Sequence, residues 1–138
     1  MKNKKGFTLI EILIVIGIIG LLAVFLMPSF VGVQDKAKDA AVKKNAEKVQ
    51  LSVESYNLEN ETHPIATNIS LKTLFDDYLS TGGYMTTIPK NPYTGKAYED
   101  ADSAGKIVYN FDSTTNTYTI KGYKRNGSTK IIELTNMQ

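Results

Sequence analysis

One carboxylate interrupts a long apolar stretch near the start of the chain. Glu11 is followed by residues 12–27, which carry no charged side chain. A carboxylate inside a membrane helix costs on the order of 2–3 kcal/mol or more without a partner, so such a group usually has a function. In a nonpolar environment Glu11 must pair with a cation or become protonated.

Few other side chains suggest chemistry. The chain has a single histidine, His63, and no cysteine, so a Ser–His or Cys–His nucleophile has little to build from. His63 precedes Pro64 in a polar loop and is expected to be exposed. The sequence contains no glycine-rich phosphate loop. These observations predict neither an enzyme nor a cofactor.

A second group of charged residues is basic and lies near the C-terminus. It is interleaved with tyrosines and consists of Lys121, Lys124, Arg125 and Lys130. The basic side chains of such a cluster can contact DNA phosphates, and the tyrosines can stack on bases. A solvated hairpin is nevertheless the favoured interpretation. Of 16 basic side chains, three precede the apolar stretch, so the remainder nearly balances 14 acidic ones. Bulk charge therefore does not predict polyanion binding.

The apolar stretch is long enough to cross a membrane. Residues 7–27 would form a helix of about 31 Å, against a bilayer core of about 30 Å. Lys2, Lys4 and Lys5 precede it, and the positive-inside bias places them in the cytoplasm. Pro28 is expected to kink the helix, which Gly17 and Gly20 also loosen.

Gly6-Phe7-Thr8-Leu9-Ile10-Glu11, together with this apolar run, resembles the N-terminus of type IV pilins and pseudopilins. The resemblance implies that a prepilin peptidase cleaves between Gly6 and Phe7 and methylates the new amine. It also implies that Glu11 meets the Phe7 amine of a neighbouring subunit during assembly. A secretory signal would have a shorter apolar region, and a plain membrane anchor would not explain Glu11 or the Gly-Phe pair.

A loop further along carries a second resemblance. Residues 88–98 are similar to the Pro-x-Asp-Pro-aromatic-Gly loop of the major pseudopilin of type II secretion, with Asn91 in place of the acid. Those pseudopilins carry a calcium site in the following loop, which makes Asp100, Asp102 and Asp112 candidate ligands.

An EF-hand does not fit this segment. Its third ligand position would be Ala104 and its closing glutamate would be Phe111. A solvated acidic turn is the favoured interpretation, and no metal is expected.

The sequence predicts an α+β fold. A long N-terminal helix, about residues 7–58, presents a stripe at spacings of 4 and 3, namely Val42, Ala46, Val49, Val53 and Tyr56. Ser70 should cap a short helix through residue 79. Alternating residues predict strands at 106–111, 116–124 and 128–135, with a hairpin at Asn126-Gly127. This small antiparallel three-stranded sheet should pack against the stripe, as in type IV pilins.

The expected organisation has three parts. Residues 1–6 are a cytoplasmic leader that is removed, residues 7–28 a transmembrane or filament-core helix, and residues 29–138 an extracellular globular domain. We expect a structural subunit of a type IV pilus, stored as a single-pass protein of the bacterial cytoplasmic membrane and assembled into a surface homopolymer. Its partners would be itself, the prepilin peptidase and the pilus assembly machinery. A type II secretion pseudopilin and a DNA-binding competence pilus subunit are the alternatives.

Overall fold

The computed structural model describes residues 6–136, apart from the side chains of residues 28, 29 and 31. The three leading lysines, Lys2, Lys4 and Lys5, lie outside the described residues. The chain divides into two compact units, Met1–Asp35 and Lys36–Gln138. The elements in order are α1 (Leu9–Asn60), β1 (Ile69–Ser70), α2 (Leu71–Leu74), a π-helical turn (Phe75–Leu79), β2 (Ile107–Asp112), β3 (Thr117–Tyr123) and β4 (Lys130–Thr135).

The first unit contains the N-terminal part of α1. Within the described residues, Leu9–Met27 is the one helical stretch long and apolar enough to span a membrane, and none of it is buried. The α1 helix continues through position 28. The kink at Pro28, with looser packing at Gly17 and Gly20, stays a prediction.

In the second unit, one face of α1 forms one side of the hydrophobic core. Val42, Ala46, Val49 and Val53 have no exposed surface, and Tyr56 packs against them. Full burial of a valine side chain stabilises the fold by roughly 1.5 kcal/mol or more. The predicted stripe is confirmed.

An antiparallel sheet covers this stripe. Tyr109 of β2 lies opposite Ile120 of β3, and both are fully buried. At Gly122 an added Cβ would lie 3.0 Å from Val42 Cγ1, so the sheet approaches α1 closely at a position without a side chain. Gln50 Nε2 also donates a hydrogen bond to the Thr135 carbonyl at 2.7 Å.

The sheet has four strands, not the three that were predicted. Its order is β1-β2-β3-β4, because Ile69 and Ser70 pair with Tyr109 and Val108. A two-residue strand is too short to show alternation in the sequence. Ser70 then caps α2 as predicted, since its Oγ accepts the Thr73 N–H at 3.1 Å.

The predicted hairpin between β3 and β4 is also present. Gly127 has a φ of 67°, a left-handed conformation that favours glycine. Lys124 N–H donates to the Thr129 carbonyl at 2.9 Å, which closes the turn.

The expectation that His63 is exposed is wrong. The side chain is 5% exposed and its ring lies 4.8 Å from that of Tyr118. The loop folds inward here because Tyr109 donates a hydrogen bond to the Pro64 carbonyl at 2.9 Å. His63 Nε2 lies 3.6 Å from Glu54 Oε2, so a polar group is buried at the edge of the core.

Candidate functional site

Thr8 and Glu11 form a capping box at the start of α1. The N–H and the hydroxyl of Thr8 donate to Glu11 Oε2 at 2.8 and 2.9 Å. In return, Glu11 N–H donates to Thr8 Oγ1 at 3.3 Å. Such reciprocal bonds satisfy backbone donors that have no partner within the helix. Glu11 therefore helps to cap the first turn of α1 and also brings a negative charge to that turn.

The Glu11 carboxylate retains one oxygen for another partner. Both bonds from Thr8 end on Oε2, so Oε1 accepts no hydrogen bond from within the described residues. Phe7 immediately precedes Thr8 and is 82% exposed. A cation from outside can therefore reach Oε1 while the capping box stays intact. The site is suited to ion pairing at a helix start.

This capping role was not predicted, although the sequence carries its signal. Thr8-Leu9-Ile10-Glu11 matches the Thr-x-x-Glu signature of a capping box. Pairing of Glu11 with the Phe7 amine of a neighbour stays a prediction, as does processing at Gly6 and Phe7.

The three calcium candidates do not form a common site. Asp100 accepts hydrogen bonds from the hydroxyls of Ser70 and Thr73. Both bonds lower the pKa of Asp100 below its ordinary value, and the Ser70 bond has the larger effect. Asp112 accepts the Thr114 N–H at 2.8 Å, which likewise lowers the pKa of Asp112.

The remaining candidate, Asp102, is bonded to an amide. Its Oδ2 accepts a hydrogen bond from Asn91 Nδ2 at 3.0 Å. Among the described residues, no group of three or more His, Cys, Asp or Glu side chains is arranged to hold a metal ion. The residues present therefore do not fit the calcium site that the resemblance implied.

The predicted basic cluster is divided. Lys124 and Lys130 line a cleft of about 440 Å³ together with Lys36, Asp39 and Lys43 of α1. Lys121 instead lies opposite Glu133 across the sheet. Lys130 also forms an ion pair with Glu133, which lowers the pKa of that carboxyl.

Arg125 does not line the cleft. The α1 lysines were missed because they lie more than 80 positions from the hairpin in sequence.

Comparison with known proteins finds a family match at the N-terminus and relatives that cover about two thirds of the chain. A family model described as the prokaryotic N-terminal methylation motif matches residues 1–27. The type II secretion system core protein G of Klebsiella michiganensis is 30% identical over 102 residues, which cover 68% of this chain and 71% of that protein. The protein of the same name in Pseudomonas aeruginosa is 30% identical over 108 residues, or 71% and 73% of the two chains.

A shorter match joins the chain to a pilus protein. The type IV wide pilus major component PilA4 of Thermus thermophilus is 40% identical over 63 residues, which cover 46% of this chain and 48% of that protein. No solved structure matches.

An apolar helix with a capped, charged first turn, followed by an α+β globular unit, defines a pilin-like class of protein. The two core protein G relatives extend the similarity over about two thirds of the chain. This chain belongs to the type IV pilin and pseudopilin family.

Proposed function

We propose that the protein is the structural subunit of a type IV pilus filament that polymerises through its N-terminal helix. The observation that carries the proposal is the exposure of Leu9–Met27 with Glu11 in its first turn. An apolar helix of this size is not stable in water. Once it leaves the lipid, it can be buried again only among copies of itself.

The route to the filament follows from the same segment. The precursor would sit in the cytoplasmic membrane with its lysines inside, and a prepilin peptidase would cut between Gly6 and Phe7. The methylation-motif match over residues 1–27 supports this step. Both Gly6 and Phe7 are exposed, as a protease substrate requires. The assembly machinery would then move the processed subunit into a surface filament.

A pseudopilus of a type II secretion system is the second candidate. Its support is the length of the match to two proteins named core protein G, together with the loop at residues 88–98. DNA capture by Lys121, Lys124, Arg125 and Lys130 is a third use. Of these residues, Lys124 and Lys130 share a cleft with Lys36 and Lys43 of α1.

Deletion of the gene and complementation in the source bacterium test these proposals. For a pilus, electron microscopy of material sheared from the cells should show filaments that contain this subunit by mass spectrometry and disappear on deletion. For a pseudopilus, deletion should instead remove proteins from the culture medium without loss of surface filaments. If deletion changes neither filaments nor secreted proteins, the filament proposal is wrong.

A further inference from the structure

Asn91 uses all of its side-chain polar atoms within the loop that precedes β2. The residue has no exposed surface. Its Oδ1 accepts the Tyr93 N–H at 3.0 Å. Its Nδ2 donates to Asp102 Oδ2 at 3.0 Å and to the Ala104 carbonyl at 2.8 Å. Because Tyr93 N–H requires an acceptor, the orientation of the amide is fixed.

The Nδ2 group lies between two oxygens of the type that calcium prefers. Carboxylate and backbone carbonyl oxygens are its common protein ligands. A partly buried carboxylate without donors is costly, and here two N–H groups supply them, since Glu99 N–H also donates to Asp102 Oδ2 at 3.0 Å. The loop therefore obtains from an amide the positive charge density that a cation would bring.

We propose that the side-chain amide of Asn91 takes the place of a divalent cation in this loop, so that the globular unit is stable without calcium. This disagrees with the calcium site implied by the pseudopilin resemblance. It also goes beyond the proposed function, because it concerns the folded subunit whichever filament the subunit forms.

The contacts of the loop extend the consequence to the sheet. Tyr98 donates a hydrogen bond to the Gly105 carbonyl at 3.0 Å, and Gly105 N–H donates to the Lys124 carbonyl at 3.1 Å. A Cβ on Gly105 would lie 3.0 Å from Asn91 Oδ1, so Asn91 lies directly beneath this segment. Loss of the amide should loosen the hairpin end of β3 as well as the loop.

Thermal unfolding of the full chain in detergent, with EDTA or with calcium chloride, tests the proposal. The wild-type protein should have the same Tm in both solutions. Asn91→Asp keeps the shape but sets a carboxylate against Asp102, so its Tm in EDTA should fall by roughly 10 °C or more and recover with calcium. Asn91→Ala adds no charge and should lower Tm equally in both solutions.

A matched control is Asn110→Asp. Asn110 Oδ1 accepts the Asn68 N–H at 3.2 Å, and a carboxylate can accept the same bond, so no calcium response is expected.

Three results would overturn the proposal. A wild-type Tm that falls in EDTA would show that a bound cation is needed. An Asn91→Ala Tm equal to that of the wild type would show that the amide contributes nothing. An Asn91→Asp protein that calcium does not restore would show that a cation cannot replace the amide. If Asn91→Asp does not fold, the first two measurements still decide, and none depends on filament formation.

Discussion

Glu11 differs from an isolated charge in a membrane helix because its side chain is part of the helix start. Oε2 receives both bonds from Thr8, and the carboxylate sits where the macrodipole of α1 favours negative charge. The charge is therefore partly compensated before any partner arrives. This reduces the cost of placing the carboxylate in an apolar environment and leaves Oε1 open to a further partner.

Replacement of Glu11 by glutamine separates its charge from its capping role. Glutamine also serves at this position of a capping box, so Glu11→Gln should leave the helix start, membrane insertion and cleavage unchanged. Without the charge pair, we expect processed subunits in the membrane with few or no filaments. Immunoblots of membrane and sheared fractions, in cells without wild-type subunit, measure this.

Thr8→Ala is the matched control for that prediction. It removes the two bonds of the Thr8 hydroxyl, at a cost of about 1 kcal/mol to the helix start, but keeps the Thr8 N–H bond to the carboxylate, so filaments should still form. Normal filaments from Glu11→Gln cells would mean that assembly does not need the charge. Equal loss of filaments from both variants would mean that the loss in Glu11→Gln cells cannot be attributed to the charge alone.

Single residues in loops were the hardest to predict. His63 is buried because Pro64 is held by Tyr109 from a strand 45 positions away. Asn91 bonds to residues 11 and 13 positions further on, across irregular backbone. Sequence periodicity carries no information on such contacts, because they depend on how the loop is folded.

At the scale of elements, the buried faces of the long helix and of the longer strands could be predicted from the sequence. The spacing from Val42 to Val53 predicted the buried face of α1, and alternation in β2 and β3 predicted the inner face of the sheet. The missed elements are short or atypical. The two-residue β1 has no pattern to detect, and the π-helical turn Phe75–Leu79 follows an ordinary helical pattern.

The close approach of β3 to α1 gives a prediction at this scale. A Cβ at Gly122 would lie 2.9 Å from Ile132 Cγ2 and 3.0 Å from Val42 Cγ1. Gly122→Val should therefore overpack the interface and lower the free energy of unfolding by about 1–3 kcal/mol. Urea unfolding followed by the near-ultraviolet circular dichroism of the tyrosines would measure the change.

Thr119→Val provides the control on the same strand. Thr119 is on the opposite, partly exposed face of β3, so placing the same valine side chain there should alter stability by less than about 0.5 kcal/mol. Equal stability of the Gly122→Val protein and the wild type would mean that sheet and helix are packed less closely than described.

At the scale of the whole molecule, maturation is the first event to test. Intact-mass analysis of sheared filaments should find chains that begin at Phe7 with a methylated amine. Gly6→Leu should block cleavage, whereas Gly20→Leu, an equally bulky change in open space within the apolar span, should not. Assembled surface protein that retains Met1 would contradict the processing scheme.

The two edges of the sheet affect how subunits meet. An open edge offers unpaired N–H and C=O groups to any neighbouring chain. Here one edge is β1, only two residues long, and the other is β4, which bears the exposed charged side chains Lys130 and Glu133. Neither edge is a good template for strand addition. We therefore expect filaments that lengthen along the helix axis and do not associate laterally, because the sheet edges of one filament do not pair with those of another.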